Sequence, residues 1–459
     1  MNTLSIYSHL PVIAQNILCS LKGWQLERQR YGGEYLNMFH SLVESDTWCK
    51  EKILAYKEEH IERLLTQAYR HCPYYKHRFD QEGLTPKDFT CLDDLQKFPV
   101  LTKEDIRQNW RGMISDKYSS KQLIPYHTSG STGKALDFFW TRENLLFYWA
   151  VVWRGRHRFG INKGDLHLNF TGKLVVPITQ RKPPFWRYNL PLRQYMLNMQ
   201  HLTREKIAPI VKFINETGAI FFVGYPSIIN SLALLIQESN MAIKSNPRFI
   251  FTSAEKVYND QRKRIEAVFA GSKIIEHYGF SENAACASKC IKNHYHEDFE
   301  LGHLELLSPQ QTIDGDYSGR LLASSFHNDG FPFIRYEIGD TATFTSTPCT
   351  CGLQSQVIKE IEGRNEDYVV TPEGTKIMRF DYIFKDATSI RECQVVQREP
   401  NSIVLRIVRR NDYSEKAEKS LLQEIKEKIS PTLQVSFEYV DTIPRTKAGK
   451  FKAVLSELK

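Results

Sequence analysis

Short apolar segments alternate with helical segments through the middle of this chain, and this alternation limits the folds open to it. The apolar runs 220–223 and 249–251 have the length of buried strands, whereas residues 226–236 and 260–269 have the spacing of helices. Strands that alternate with helices predict an α/β fold built in layers around a sheet. Further strands are predicted at residues 274–275, 321–323 and 341–344.

The two ends of the chain differ from this middle. Residues 1–120 are predicted to be mainly helical, since Ile61, Leu64, Leu65 and Ala68 recur at helical spacing before the Cys-Pro pair that follows. After residue 363 the order is strand, charged amphipathic helix and strand, which is typical of a small α+β domain. The prediction is therefore an N-terminal domain of residues 1–362 and a C-terminal domain of residues 363–459.

The composition limits the partners of the chain. Its 459 residues are 41% hydrophobic, which is enough for large cores in two or three domains. Lys and Arg number 61 and Asp and Glu number 53, so the net charge is +8, which is mild for this length. The dispersed charge argues against a protein dedicated to nucleic acid and leaves small anionic substrates open.

The chain carries no sign of secretion. Its start lacks a basic leader and a long apolar core, and Pro11 and Asn16 interrupt it well short of a membrane span. Nine cysteines are an odd number, which argues against a disulfide framework. We expect a cytoplasmic protein that begins with a docked amphipathic helix, and peripheral contact with a membrane is the less favoured alternative.

The sharpest local motif is the segment YHTSGSTGKAL at residues 126–136. Its glycines permit close backbone approach, its N–H groups can form an anion-binding nest, and its lysine adds positive charge. It is not a Walker A loop, because only two residues separate Gly130 from Gly133 and Ala135 follows Lys134. The motif predicts a site for a polyphosphate, with an ordinary surface turn as the alternative.

Four other short motifs suit a nucleotide site. Glu282 follows a Tyr-Gly turn in EHYGFSEN, where a carboxylate can bind Mg²⁺ on phosphates. Asp340 ends FIRYEIGD at a strand edge, where it can accept hydrogen bonds from ribose hydroxyls. Arg364 follows a glycine at the predicted domain boundary, and Lys450 lies in a basic loop of the C-terminal domain. Taken singly, these residues also suit a helix cap, a turn or a solvated charge.

Taken in order, the five motifs resemble those of the adenylate-forming (AMP-binding) superfamily, which includes the acyl-CoA synthetases. The segments LLTQAYRHCPYYKHRF and LDDLQKFPVLTKEDIR are similar to the N-terminal region of phenylacetate–CoA ligase-like proteins. The segments LPVIAQNILCSLKGW and CIKNHYHEDFELGHLEL are similar to the CapK-like branch, which is named for capsular polysaccharide biosynthesis. The resemblance covers nearly the whole chain. It implies a large N-terminal domain of several subdomains and a small α+β C-terminal lid domain that rotates between two half-reactions.

The resemblance also implies roles for individual residues. Those that would surround the ATP phosphates are Thr128, Ser129, Gly130, Ser131, Thr132, Gly133 and Lys134. Those that would line the adenine pocket are Ser253, Ala254, Glu255, Tyr278, Gly279, Phe280 and Ser281. Glu282 would hold Mg²⁺, and Asp340 would bind the ribose. Arg364 would contact ribose or phosphate, and Lys450 would reach the substrate carboxylate and the α-phosphate.

The activity that the resemblance implies is an ATP-dependent ligase. Such an enzyme activates a carboxylic acid as acyl-AMP, releases pyrophosphate and then transfers the acyl group. Coenzyme A is the acceptor implied by the phenylacetate–CoA ligase-like proteins. The CapK-like branch suggests instead an amine, on an amino sugar or an amino acid, in capsular or O-antigen polysaccharide biosynthesis. A non-catalytic nucleotide-binding partner in polysaccharide assembly is a third hypothesis. The presence of Glu282, Asp340, Arg364 and Lys450 at the motif positions argues against it.

Clustered cysteine and histidine residues predict a metal site. In a reducing compartment such clusters favour Zn²⁺ over a disulfide, and two pairs that are distant in sequence can complete a tetrahedral site. We predict Cys290, His296, Cys349 and Cys351 as the ligands, a spacing that resembles zinc ligands in some phenylacetate–CoA ligase-like proteins. Four protein ligands would close the site and make it structural, and unpaired buried cysteines are the alternative.

Overall fold

The chain is organised around one wide β-sheet with a parallel middle and antiparallel flanks. A computed structural model describes residues 7–127, 136–171, 174–362, 368–377, 383, 389–410, 413–444 and 454–458. The predicted phosphate-loop residues 128–134, together with Arg364 and Lys450, lie outside the described residues.

The first hundred residues are helical, as predicted. Ile61, Leu64, Leu65 and Ala68 are buried on one face of a helix that ends at His71, where Pro73 begins the next one. The helices before the sheet are α1 (Val12–Tyr31), α2 (Tyr35–Ser45), α3 (Lys50–His71), α4 (Pro73–Gln81) and α5 (Lys103–Met113). The later helices are α6 (Arg142–His157), α7 (Ile207–Thr217), α8 (Pro226–Glu238), α9 (Asn259–Val268) and α10 (Glu415–Lys428).

The strands fall into three groups along the chain. The first eight are β1 (Leu123–His127), β2 (Asp137–Thr141), β3 (His167–Thr171), β4 (Trp186–Asn189), β5 (Gln194–Asn198), β6 (Phe221–Gly224), β7 (Phe249–Ser253) and β8 (Lys273–Gly279). Those that follow are β9 (Cys286–Lys289), β10 (Tyr295–Glu297), β11 (Gly302–Gln311), β12 (Tyr317–Ser325), β13 (Tyr336–Thr345) and β14 (Val357–Glu362). The last are β15 (Val369–Val370), β16 (Lys376–Ile377), β17 (Ile390–Glu399), β18 (Ser402–Arg409), β19 (Gln434–Tyr439) and β20 (Val454–Ser456).

Twelve of these strands form the main sheet. Their order is β11-β12-β13-β14-β10-β9-β8-β7-β6-β3-β5-β4, and the run from β8 to β5 is parallel. Phe221 and Phe222 of β6 are both buried, because a parallel strand with helices on its two faces is apolar on both sides. This arrangement confirms the predicted α/β fold class.

Helix α1 is docked on the edge of the main sheet. Gln15 accepts a hydrogen bond from Nε of Arg187 at 2.6 Å, and Asn16 accepts one from the backbone N–H of Tyr188 at 3.0 Å. Its outer face exposes Ile13, Ile17, Leu21 and Trp24. Within the part of the chain that the structure describes, no helix is both long and apolar enough to cross a membrane.

The C-terminal strands form sheets separate from the main one. A four-stranded sheet has the order β19-β18-β17-β20, and a short hairpin joins β15 to β16. Leu421 and Ile425 of α10 pack in one apolar cluster with Leu405 of β18 and with Ile207 of α7. The C-terminal sheet therefore contacts the helices of the parallel half of the main sheet.

Candidate functional site

The carboxyl ends of β7 and β8 bring several predicted site residues side by side. Ser253 is paired in register with His277, so it lies beside the Tyr278–Gly279 pair that ends β8. In open α/β sheets, ligands bind at the carboxyl ends of the parallel strands. The predicted adenine-pocket segments after β7 and β8 therefore share the edge at which a ligand is expected.

The turn that follows β8 is fixed by buried amides. The N–H of Asn283 donates to the carbonyl of Phe280 at 3.0 Å, and Asn283 has a left-handed backbone with φ of 56°. The side chain of Asn283 donates to Oδ1 of Asn144 at 2.8 Å, in the first turn of α6. Because asparagine tolerates this conformation, the turn holds Glu282 at a defined position inside the protein.

Glu282 is buried and is bound by a tyrosine that the sequence motifs do not assign. The hydroxyl of Tyr336 donates to Oε1 of Glu282. Tyr336 begins β13 and is itself fully buried, so the hydrogen bond orients the carboxylate. An oriented carboxylate at this sheet edge has the chemistry of a ligand for a hard divalent cation.

Asp340 leaves the regular pairing of β13 through a bulge. The register steps from Leu322 opposite Glu337 to Arg320 opposite Thr341, so three residues of β13 face one residue of β12. Gly339 in the bulge has φ of 99°, which glycine adopts without a side-chain clash. Tyr278 then donates its hydroxyl proton to Oδ2 of Asp340 at 2.7 Å. The bulge thus brings Asp340 to the end of β8.

The segment after β7 is held against the first turn of helix α8. Ala254 is exposed and has a left-handed backbone with φ of 69°. Glu255 accepts hydrogen bonds from the backbone N–H and the hydroxyl of Ser227, both at 3.1 Å. A carboxylate at this place stabilises the positive end of helix α8. Glu255 therefore binds the first turn of that helix.

A cavity of about 150 Å³ lies between helix α6 and the main sheet. Tyr148, Trp149 and Arg156 of α6 form one wall, and Thr252–Ser253 and His277 belong to the opposite wall. From β6, the cavity is lined by Val223.

Two polar side chains, Ser288 and Asp298, fix the protonation state of His277. Ser288 donates its hydroxyl proton to Oδ2 of Asp298 at 2.7 Å, and Nδ1 of His277 lies 3.0 Å from the same hydroxyl oxygen. Because that oxygen has already donated its proton, His277 donates from Nδ1. Burial lowers the pKa of His277 although Asp298 acts in the opposite direction, so the ring is neutral at pH 7.

The four predicted metal ligands come together at one end of β9 and β10. The ligand atoms of Cys290, His296, Cys349 and Cys351 all lie within 4.8 Å of one another. Cys290 follows β9, His296 is in β10, and the Cys-x-Cys pair lies in the loop between β13 and β14. Three of the four residues are buried. The cluster therefore connects the segment after the Glu282 turn with the segment before β14.

The spacing of the cluster fits a tetrahedral metal ion. Zn–S bonds of about 2.3 Å in a tetrahedron place sulfur atoms about 3.8 Å apart. The sulfur atoms of Cys290 and Cys349 are 3.7 Å apart, which is far longer than a disulfide, and Sγ of Cys351 is 3.2 Å from Nε2 of His296. Nδ1 of His294 lies 3.4 Å from Sγ of Cys349, but His294 is not one of the four converging residues. Cys286 belongs to a separate group with His277 and Asp298.

The structure brings together part of the predicted nucleotide site. Hydrogen bonds connect Tyr278 with Asp340 and Glu282 with Tyr336, and the rings of Phe280 and Tyr336 are 6.4 Å apart. The motif analysis missed Tyr336, although it stands four residues before Asp340 on the same strand. It also missed His277 and Arg156, the second of which lies in no motif.

The chain is similar to several known proteins. Residues 369–457 match the CapK C-terminal domain family. Protein CapK of Staphylococcus aureus is 27% identical over 99% of this chain and 99% of its own length. The phenylacetate–coenzyme A ligase of Thermus thermophilus is 23% identical over 90% of this chain and 98% of its own length.

A solved structure shows the same fold. The crystal structure of 2-hydroxyisobutyryl-CoA ligase in complex with 2-HIB-AMP and CoA covers 90% of this chain and 92% of its own, with a TM-score of 0.57 and 17% identity. The resemblance stated from the sequence motifs is thereby confirmed. The chain is a homologue of CapK and of the phenylacetate–coenzyme A ligases, and it has the fold of the adenylate-forming ligases.

Proposed function

We propose that this protein is an AMP-forming ligase that activates a carboxylic acid as an acyl-adenylate. The observation that carries the proposal is the set of hydrogen bonds that joins Tyr278 to Asp340 and Tyr336 to Glu282 at the carboxyl ends of the parallel strands. Two oriented carboxylates at this edge suit a ribose and a divalent cation on phosphates. The homology with acid–coenzyme A ligases supports the same activity.

The proposed chemistry needs positioning and charge neutralisation more than proton transfer. A carboxylic acid is already ionised near neutral pH, so the nucleophile requires no general base. Asp340, oriented by Tyr278, would accept the ribose hydroxyls and fix the nucleotide at the end of β8. Glu282 would hold Mg²⁺, which when bound neutralises phosphate charge. Residues 128–134, Arg364 and Lys450 are proposed to complete the site from outside the described residues.

The second half-reaction is proposed to use coenzyme A. The relatives named phenylacetate–coenzyme A ligase support a thiol acceptor. Residues 363–459, which carry Lys450, are proposed to act as the lid between the two half-reactions. Incubation of the acid and ATP with coenzyme A or with amino sugars would separate the two acceptors by product mass. A mass increase on the amino sugar alone would contradict the thiol acceptor.

We also propose that Cys290, His296, Cys349 and Cys351 hold a structural zinc ion. Three thiolates and one imidazole are ligands that zinc prefers, and four protein ligands leave no position for a substrate. The ion would fix the loop after β13 to strands β9 and β10. Protein purified without chelator is expected to contain about one zinc per chain, and metal analysis that finds none would contradict this proposal.

The experiment for the ligase is a screen for acid-dependent pyrophosphate release. The full chain is incubated with ATP, Mg²⁺ and a panel of carboxylic acids, first without any acceptor and then with coenzyme A. For one class of acid only, the expected products are pyrophosphate and acyl-AMP without an acceptor, and pyrophosphate and AMP in equal amounts with coenzyme A. Release of ADP and inorganic phosphate, or no release with any acid, would contradict the proposal.

A further inference from the structure

The cavity beside α6 has a positively charged inner end. Arg156 lies in its wall, and its guanidinium carbon is 4.6 Å from the ring centre of Trp153 and 5.5 Å from that of Phe251. Phe251 stands two residues before Ser253 on β7, which corresponds to about 7 Å along the strand. The charge therefore lies well inside the cavity, away from the strand end at which the nucleotide is proposed to bind.

Arg156 differs from its neighbour Arg154 on the same helix. Arg154 is fully enclosed by carboxylates, with Asp46 at 2.7 Å, Glu300 at 2.9 Å and Asp298 at 3.0 Å. Among the residues that the structure describes, Arg156 has no such ion pair, and the titratable groups acting on it are the phenols of Tyr31, Tyr148 and Tyr35. Burial lowers the pKa of the Arg156 guanidinium, yet arginine keeps its charge in proteins.

The other charges around the cavity do not neutralise Arg156. Glu276 lies in the wall, but its Oε1 atom is bound by Arg262 and by Lys289, each at 2.6 Å. The guanidinium of Arg30 lies 4.1 Å from the ring centre of Trp149, which lines the cavity. The charge of Arg30 adds to that of Arg156, so the potential near the cavity is positive.

Two further polar atoms in the cavity wall lack partners. Oγ1 of Thr252 and Nε2 of His277 are buried and have no hydrogen bond among the described residues. Buried polar atoms are nearly always paired in folded proteins, so an unpaired group calls for an explanation. The hydroxyl of Thr252 can donate to an anion, whereas Nε2 of His277 can only accept a hydrogen bond in this tautomer. Together with the uncompensated cation, these unpaired atoms indicate a polar ligand.

The dimensions of the cavity limit that ligand. A cavity of about 150 Å³ accommodates a molecule of roughly benzene size. If the reacting carboxylate lies at the Ser253 end, two to four carbon atoms would span the distance to Arg156 at the inner end. A phenyl or long alkyl chain would leave the guanidinium without an anion.

We propose that the acid activated by this protein is a short dicarboxylic acid whose second carboxylate is bound by Arg156. This inference rests on the proposed function, since it places the reacting carboxylate at the nucleotide end of the cavity. Arg156 would then be a specificity-determining residue, forming a charge-assisted and bidentate contact with the far carboxylate. The aromatic rings beside it would exclude water from this ion pair.

The test is a comparison of matched acids in wild type and in Arg156→Met. Succinic, glutaric and adipic acids are paired with butyric, pentanoic and hexanoic acids, which lack the second carboxylate. Acid-dependent pyrophosphate release is measured for all six. Wild type is expected to prefer one dicarboxylic acid over its partner by about 100-fold in kcat/KM, and Arg156→Met to lose that preference. The matched control is Arg248→Met. Arg248 is exposed, and its guanidinium lies over the ring of Phe249, outside the cavity.

Binding without turnover separates this inference from the proposed ligase activity. Thermal protection by the same six acids is measured in wild type, in Arg156→Met and in Arg156→Lys, which keeps the charge if the methionine variant does not fold. Preference of wild type for the monocarboxylic acids would overturn the inference and leave the ligase standing. Protection by a dicarboxylic acid that depends on Arg156, without pyrophosphate release, would support Arg156 as the binding group for the second carboxylate and overturn the ligase. Protection by none of the acids and release with none would overturn both.

Discussion

The cavity beside α6 and the cysteine–histidine cluster use neighbouring strands, but their polar atoms are arranged in different ways. In the cluster, four ligand atoms converge within 4.8 Å and leave no room between them for a substrate. In the cavity, Arg156, Thr252 and His277 line a space of about 150 Å³. Converging ligands indicate a site that holds the fold, whereas separated and unpaired groups indicate a site that binds a molecule from solution.

The two regions are joined by buried acids at the end of β10 and in the segment that follows it. Glu297 is bound by Lys57 of α3, and Asp298 and Glu300 are bound by Arg154 of α6. These ion pairs attach the N-terminal helices to the strands that carry the cluster. These acids are paired with Lys57 and Arg154. Arg156, by contrast, has no ion pair among the described residues.

The largest effect is expected from substitution of Lys450, which is proposed to complete the nucleotide site. Lys450→Ala should lower acid-dependent pyrophosphate release by about 1,000-fold or more, because the charge that develops on the phosphates loses its compensating cation. ATP affinity, measured by calorimetry, should change by no more than about 3-fold, and zinc content should not change. Lys452→Ala in the same segment is the control. Wild-type rates in Lys450→Ala would contradict the assignment.

The next largest effect is expected from the loss of a ligand in the cysteine–histidine cluster. Cys349→Ser should remove the metal and lower the free energy of unfolding by about 4 kcal/mol, since the loss of a metal site is among the most destabilising changes. Metal content and thermal unfolding measure the effect. Cys72→Ser, a buried cysteine of the helical region, should keep one zinc per chain. Full metal content in Cys349→Ser would show that this cysteine is not a ligand.

Glu282→Gln is expected to impair the proposed nucleotide site and leave the cysteine–histidine cluster intact. Pyrophosphate release should fall by about 100-fold, because an amide does not supply the charge that a divalent cation requires. Unfolding temperature and zinc content should remain near wild type. Glu337→Gln is the control, since this residue of β13 pairs with Arg320 at the surface. Equal losses in both variants would contradict a specific role for Glu282.

Asp340→Asn and Tyr278→Phe are expected to have the smallest effects. Asp340→Asn should raise the KM for ATP by about 10-fold with little change in kcat, because hydrogen bonds to a charged acceptor become hydrogen bonds to a neutral one. Tyr278→Phe should change the same KM by less, since it removes only the group that orients Asp340. Initial rates at varied ATP measure both variants. A change in kcat alone would argue against binding of the ribose.

The parallel half of the sheet was predictable from local pattern. Residues 220–223 and 249–251 are continuous apolar runs, and their strands were found at Phe221–Gly224 and Phe249–Ser253. The helices predicted at 226–236 and 260–269 were found at Pro226–Glu238 and Asn259–Val268. Strands that are buried on both faces and helices with one buried stripe each have a distinct pattern.

The antiparallel strands β9 and β10 were not predictable in the same way. They are only four and three residues long and contain Ser288, Lys289 and His296, which have weak strand preference. Their pairing depends on neighbouring strands, and their burial depends on residues far away in sequence. The cluster itself was predictable because cysteine and histidine carry their chemistry in any local structure.

The nucleotide site was predictable only in part. Motif spacing indicated Glu282 and Asp340, but it gave no indication that Tyr336 binds the first of them. The bulge at Gly339 redirects Asp340, and a bulge depends on pairing with β12, which local sequence does not specify. Arg156 could not be found from sequence, because a charged residue in a helix is most often solvated or paired.

The most direct test of the central claim follows an oxygen atom. An acid selected from the panel is labelled with ¹⁸O in its carboxylate and incubated with the full chain, ATP, Mg²⁺ and coenzyme A. If the carboxylate attacks the α-phosphate and the acyl group then leaves for the thiol, AMP retains one labelled oxygen from the acid. Mass spectrometry is expected to find this AMP in an amount equal to the thioester. Unlabelled AMP, or label in inorganic phosphate beside ADP, would contradict an acyl-adenylate intermediate.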